Sequence, residues 1–178
     1  TGKNITIFCG NTPEVWSPVS AETGIGGSEE AVINVAKELV KQGNTVTVYN
    51  NCEGQEGIYD DVAYIHFESF NLLDSHDIFI GWRNPQIFAL PIQAKQKYLW
   101  LHDVPQVEFY QPELVEKIDK IFVLSQWHRN CLPNIPDHKF FITRNGINIS
   151  DFDITVEKEP QRLIYASSPD RGLDTILE

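Results

Sequence analysis

Methionine is absent from the 178 residues, cysteine occurs three times, and no block of lysine and arginine appears. Cys9, Cys52 and Cys131 are odd in number and far apart. That spacing argues against a disulfide frame or a metal knuckle, and the residues read as free thiols in a reducing, cytoplasmic compartment. Basic residues number 14 against 25 acidic ones, a net charge of -11, which argues against nucleic acid and anionic membrane as partners. No apolar run approaches the ~20 residues that span a bilayer, and neither a signal peptide nor a basic amphipathic helix is visible. There is no internal repeat and no low-complexity tract. His66, His76, His128 and His138 lack metal-ligand spacing, so no metal is expected. No strained G-x-S-x-G nucleophile turn and no Ser-His-Asp order is present. The missing methionine, and a helical pattern over Arg171–Glu178 that stops without a cap, point to a piece of something longer.

What is present is ordinary for a soluble globular protein, with 42% hydrophobic and 22% charged residues, and 178 residues are enough for one domain with a sizeable core. Strand signals fall at Ile5–Cys9, Thr45–Tyr49, Ala63–Phe67, Asp77–Gly81, Tyr98–Leu101, Ile121–Leu124 and Phe140–Thr143. Helical signals fall at Ser28–Gln42, within Pro85–Lys95, and at Pro112–Ile118 and Ser125–Cys131. Several strands are short apolar runs without clean alternation, as in strands buried on both faces. Alternating strands and helices predict crossover units and a mainly parallel, doubly wound, Rossmann-like sheet. Such sheets bind ligands beyond the carboxyl ends of their strands. Residues 1–149 form this domain. Residues 150–161, polar and acidic, read as a linker. Residues 162–178 read as the start of a second α/β domain, with a strand at Arg162–Ala166.

The densest local signal is Gly24-Ile25-Gly26-Gly27-Ser28-Glu29-Glu30-Ala31, between the first strand and the first helix. A glycine turn at a helix start leaves backbone N–H groups facing outward at the positive end of the helix dipole, which suits a phosphate. The same glycines also serve plain turn geometry. The dinucleotide fingerprint fits poorly, because the loop from Gly10 to Gly27 is long and Glu29 stands where a third glycine belongs. Ser28 is expected as N-cap and Gly43 as the C′ residue. Ala31, Val32, Val35, Ala36, Leu39 and Val40 are expected as one buried stripe.

Polar residues collect where strands should end: Gly81-Trp82-Arg83-Asn84, Trp100-Leu101-His102-Asp103, Ser125-Gln126-Trp127-His128 and Arg144-Asn145-Gly146. His102 can bond sugar hydroxyls or phosphate oxygens, or move a proton near neutral pH; it can equally cap a strand end. Trp82 and Arg83 can stack on and bond a sugar or an anion, or form a rim tryptophan and a surface ion pair. Trp16, in the long first loop, is either a stacking residue or part of that loop's packing. Ser125 reads as an N-cap, Trp127 as core and Asn145-Gly146 as a turn.

In order along the chain, these pieces resemble the glycosyl transferases group one, a retaining family with the glycosyltransferase-B fold. The resemblance rests on Gly26-Gly27-Ser28-Glu29, His102, Ser125, Asn145-Gly146-Ile147-Asn148 and the tail Ser167-Ser168-Pro169-Asp170-Arg171-Gly172-Leu173-Asp174. Asn148 replaces the usual aspartate, and Ser167 or Ser168 stands where an arginine is frequent. The resemblance implies an enzyme that moves a sugar from a nucleotide-sugar to a carbohydrate, lipid or small-molecule acceptor with retention and without an essential metal. It assigns His102 to the donor sugar, Gly26, Gly27 and Arg171 to the donor phosphates, and Glu29, Trp82, Arg83, Asp103, Trp16 and Asn145 to the sugar or acceptor. It also places the family's paired glutamates in a second domain outside these residues, so this fragment alone is expected to be inactive. A nucleotide-sugar epimerase or phosphorylase of the same architecture, a non-catalytic carbohydrate or nucleotide module, and a dehydrogenase domain stay open beside it.

Overall fold

The computed structural model describes residues 2–147, 149, 155–157, 159–165, 167 and 172–177. The chain divides into two compact units, Thr1–Gly146 and Ile147–Glu178.

The first unit is an eight-stranded sheet: β1 (Asn4–Gly10), β2 (Thr45–Asn50), β3 (Gly57–Tyr59), β4 (Val62–His66), β5 (Ser75–Trp82), β6 (Gln93–Trp100), β7 (Lys120–Val123) and β8 (Phe140–Ile142). Its order is β3-β4-β2-β1-β5-β6-β7-β8. Every neighbouring pair is parallel except β3 with β4. With the β3 flap set aside, the first six parallel strands run 3-2-1-4-5-6, the doubly wound Rossmann-like order. The order reverses between β1 and β5, so the crevice beyond Gly10 and Trp82 is the topological switch point, where such sheets bind ligands.

Alternation along the central strands feeds two cores. Ile5, Ile7, Val46, Val48, Ile80, Trp82 and Trp100 pack with Val32 and Ala36 of helix α1 (Gly27–Lys41). Phe79, Leu99, Ile121 and Val123 pack with Phe88, Tyr110, Val115 and Leu132. Val115 lies in α2 (Pro112–Val115), and α3 (Gln126–Asn130) follows β7. Residues one apart on β5 and β6 therefore serve opposite layers, and each layer buries apolar surface worth about 25 cal/mol per Å2.

The seven strands expected within residues 1–149 are present, within one residue of their expected ends except that β6 starts five residues earlier and β5 two. Four local expectations change. Within Pro85–Lys95 only a 3-10 turn forms, Pro85–Ala89, and from Gln93 the chain is already β6. Pairing with β5 from Ser75 to Trp82 overrides the helical composition there. β3 was not expected; it returns on β4 through Asp60 and Asp61, both at positive φ (48° and 61°). Trp127 is not core but 65% exposed, because α3 turns it outward while burying His128 and Arg129. Val35, expected in the α1 stripe, is exposed, and Val32 and Ala36 carry the buried contact.

In the second unit, α4 spans Leu173–Leu177. Residues 162–165, expected as most of a strand, are in no regular element, and Leu163 and Ile164 are exposed. Arg171, Asn148 and 168–170 lie outside the described residues.

Candidate functional site at the carboxyl edge

β1 ends at Gly10 with φ 68°, and the chain then runs through a long loop to α1. The 3-10 turn Pro18–Glu22 orders its middle, capped by Ser17. Trp16 fixes its base: its backbone N–H donates to Asn51 O (2.9 Å), and its carbonyl accepts from Asn50 Nδ2 (2.7 Å). The loop delivers Gly26 as the N-cap of α1, without a side-chain cap bond. Ser28, the expected N-cap, lies inside the first turn and donates through Oγ to Glu29 Oε2 (2.9 Å). The helix begins earlier because Gly26 adopts extended geometry and its carbonyl takes the Glu30 N–H (3.0 Å). Gly26 and Gly27 are both exposed, so the helix mouth is open. A Cβ on Gly26 would sit 2.2 Å from Glu29 Oε2, whereas one on Gly27 would meet nothing within 4 Å. Glu29 thus folds its carboxylate back beside the mouth.

From there an ion-pair chain crosses the switch point. Arg83, just past β5, places NH1 3.6 Å from Glu29 Oε1 and donates from Nε to Asp103. Its guanidinium lies 4.9 Å above the Trp82 ring, within cation–π range. Arg83 is also the centre of a tight three-residue turn. Asn84 N–H reaches Trp82 O (2.7 Å) and Arg83 N–H reaches Trp100 O (2.8 Å). The turn holds Arg83 at φ 63°, the left-handed region, at a strain of about 1 kcal/mol.

His102 lies two residues past β6, with its ring 6.0 Å from Trp82 and 4.6 Å from Trp100. Burial is the main cause that pushes its pKa down to about 4. The nearby Asp103 and Glu29 oppose that shift, and Arg83 and His128 assist it. At neutral pH the ring is uncharged. Cys9 lies under the same crevice, and burial together with Glu29 raises its thiol well above the ordinary range, so it is no nucleophile at neutral pH. Ser125 caps α3, as expected, through the His128 N–H.

Gly26, Gly27, Glu29, Trp82, Arg83, His102 and Asp103 therefore gather at one edge of the sheet. Trp16 joins them but is packed: it is 2% exposed, with its ring 6.1 Å from Trp82. Asn145 is exposed past the end of β8, and Arg171 lies outside the described residues. His128 and Asn50, to which the sequence reading gave no site role, also reach this edge. Asn50 is fully buried at the end of β2, and His128 is buried in α3. Only their strand-end positions could have flagged them.

Two surface depressions lie elsewhere. One of about 300 Å3 is bordered by Gln86, Glu108, Phe109 and Lys117. Another of about 600 Å3, bordered by Asn11, Asn51, His66 and three glutamates, opens farther along the same carboxyl edge. Among the described residues no group of three or more His, Cys, Asp or Glu is placed to hold a metal ion, and no helix is long and apolar enough to cross a membrane.

No family model matches this chain, and no curated protein matches it. The functional reading therefore rests on the residues and their geometry.

Proposed function

We propose that this chain is the acceptor-side domain of a retaining glycosyltransferase with a two-domain, glycosyltransferase-B architecture. The observation that carries the reading is the meeting of an uncapped, glycine-lined helix mouth and a neutral imidazole at the switch point of a doubly wound sheet. Sugar transfer requires both kinds of group. As the bond to the leaving diphosphate breaks, negative charge grows on the phosphate, and outward N–H groups at Gly26 and Gly27 stabilise it without reorganising. Positive character grows at the anomeric carbon, and an uncharged His102 bonds the sugar without opposing that charge. Glu29 borders the mouth and balances Arg83. Arg83 and Trp82 shape the acceptor side. On this reading a second domain supplies the nucleotide contacts, Arg171 faces the donor diphosphate, and closure excludes water.

The test is release of nucleoside diphosphate from UDP-, GDP- and ADP-sugars, with product detection, in the protein that carries the donor-binding domain. Transfer is expected there, with negligible turnover by residues 1–178. His102→Ala should lower kcat/KM at least ~100-fold, the loss of a contact made in the transition state. Wild-type kinetics in that variant would remove His102 from the site, and turnover by the isolated 178 residues would displace the donor site.

A further inference from the structure

Three side-chain amides, at and just after the carboxyl end of β2, tie down the long loop between β1 and α1. Asn51 Nδ2 donates to Thr12 O (2.9 Å). Asn50, fully buried, donates from Nδ2 to Trp16 O (2.7 Å). Gln55 takes hold of the 3-10 turn itself: its Oε1 accepts from Ser17 Oγ (2.6 Å) and from Ser20 Oγ (3.0 Å). In dinucleotide-binding sheets an acidic side chain at the end of β2 bonds the ribose. Here amides stand at that place, and their N–H groups are taken up by the chain's own loop.

Gln55 is itself fixed from behind. Its backbone N–H donates to Cys52 O (2.7 Å), and its carbonyl accepts from Tyr59 Oη (2.9 Å). The two serines it holds are committed on their other sides. Ser17 Oγ accepts the Val19 N–H (3.1 Å), and Ser20 Oγ accepts the Ser17 N–H (3.3 Å). Ser17 is fully buried, so without Gln55 its hydroxyl proton loses its acceptor in a place that water does not reach, the expensive way to lose a hydrogen bond. From Ser20 the order passes directly toward the helix mouth. Ser20 O accepts the N–H groups of Thr23 and Gly24 (both 3.1 Å) and the Thr23 hydroxyl (3.1 Å). Gly24 then turns at φ 103°, and Gly26 caps α1 two residues later. A Cβ at Gly24 or Gly27 would meet nothing within 4 Å, so close packing does not steer the chain at either residue. Glycine gives up the most conformational freedom on ordering, and the bonds at Ser20 supply the restraint that packing does not.

We infer that Gln55 is a positioning residue of the glycine mouth: through Ser17 and Ser20 it holds the 3-10 turn so that the Gly26 and Gly27 N–H groups are aimed before a ligand arrives. The inference rests on the transferase reading for what the mouth binds, not for the hold. With Gln55 removed, the loop samples other courses and only a fraction of molecules present the mouth correctly. Binding selects that fraction and re-forms the same mouth. The loss therefore falls on KM, which rises as the competent fraction falls, and not on kcat.

Hydrogen exchange on the 178-residue chain reads the hold directly. In Gln55→Ala the Thr23 and Gly24 amides are expected to exchange about tenfold faster, the local loss of about one hydrogen bond. Val48, in the centre of the sheet, is expected to exchange as in wild type. Gln55→Glu keeps an oxygen that accepts from both serines and should bring the loop back to within about twofold of wild type. Ser20→Ala, which removes one of the two donors, should speed exchange at Gly24 less than Gln55→Ala does. In the protein that carries the donor-binding domain, with the nucleotide-sugar it turns over, Gln55→Ala should raise KM about fivefold to tenfold with kcat within about twofold, and Gln55→Glu should restore KM. Unchanged exchange at Thr23 and Gly24, equal acceleration at Val48, or no recovery in Gln55→Glu would overturn the inference. So would a lower kcat at unchanged KM, the mark of a variant that merely folds less well. Faster exchange confined to the loop, in a protein that never transfers sugar, would sink the transferase reading and leave the hold. Transfer with a wild-type KM in Gln55→Ala would do the reverse.

Discussion

His102 makes acid stability a direct probe of the site. Burial lowers its pKa from 6.5 to about 4. Between those values the unfolded chain binds a proton that the folded chain refuses, so stability is complete above pH 6.5 and falls as pH drops toward 4. Below about 4 both states carry the proton and this contribution adds no further slope. At 1.36 kcal/mol per pH unit the ceiling is about 3 kcal/mol. The ring keeps partial solvent contact, which screens the effect to roughly 1–2 kcal/mol. His76, also lowered mainly by burial, titrates in the same direction, so the wild-type curve alone does not isolate His102. Urea unfolding at pH 7.5 and pH 4.5, for wild type and His102→Asn, does so by difference. The variant should lose about 1–2 kcal/mol less than wild type over that interval. Equal losses in both proteins would show that the ring is solvated, and the neutral-imidazole argument would fail with it.

Gly81→Ala should cost about 1–3 kcal/mol by urea denaturation, because its Cβ would come within 2.8 Å of Phe88 and 2.9 Å of Ile87, both in packed positions. Arg129→Met should cost about 2–4 kcal/mol in the same assay. Arg129 donates to the Leu132 and Ile135 carbonyls (2.9 and 2.8 Å) and pairs with Asp137, and the variant orphans both carbonyls. Arg83→Gly should relieve about 1 kcal/mol of left-handed strain. It also removes two partly exposed ion pairs, to Glu29 and Asp103, of similar combined size, so its melting temperature should stay within a few degrees while any transfer activity drops. A Tm fall beyond about 8 °C would mean that the Arg83 chain holds up the fold and does not merely shape the site.

The sheet was legible because strands covered on both sides, such as Ile5–Cys9 and Ile121–Leu124, are continuous apolar runs that little else explains. The grouping at the carboxyl edge was legible because polar residues stand out directly after such runs, as with Trp82-Arg83 and His102-Asp103. What escaped depends on partners distant in sequence. Gln93–Lys95 falls inside the segment that reads as helical and becomes strand only because β5 lies alongside it. The β3 hairpin turns on Asp60 and Asp61, which adopt positive φ without the glycine that would announce it. Trp127 and Val35 have apolar character and helical spacing but face outward. The hold of Gln55 on Ser17 and Ser20 cannot be read from spacing at all, since it joins residues 38 and 35 apart.

Because adjacent residues of β5 belong to different layers, that strand has no tolerance for a change of length. One residue inserted between Ser75 and Trp82 would exchange the two sets of inward side chains in a single stroke. It would also rotate the following arginine half a turn, away from the carboxylates on either side of it. Length polymorphism in this protein should therefore be confined to the loops, and the spacing from Asp77 to Arg83 should be as fixed as the residues themselves.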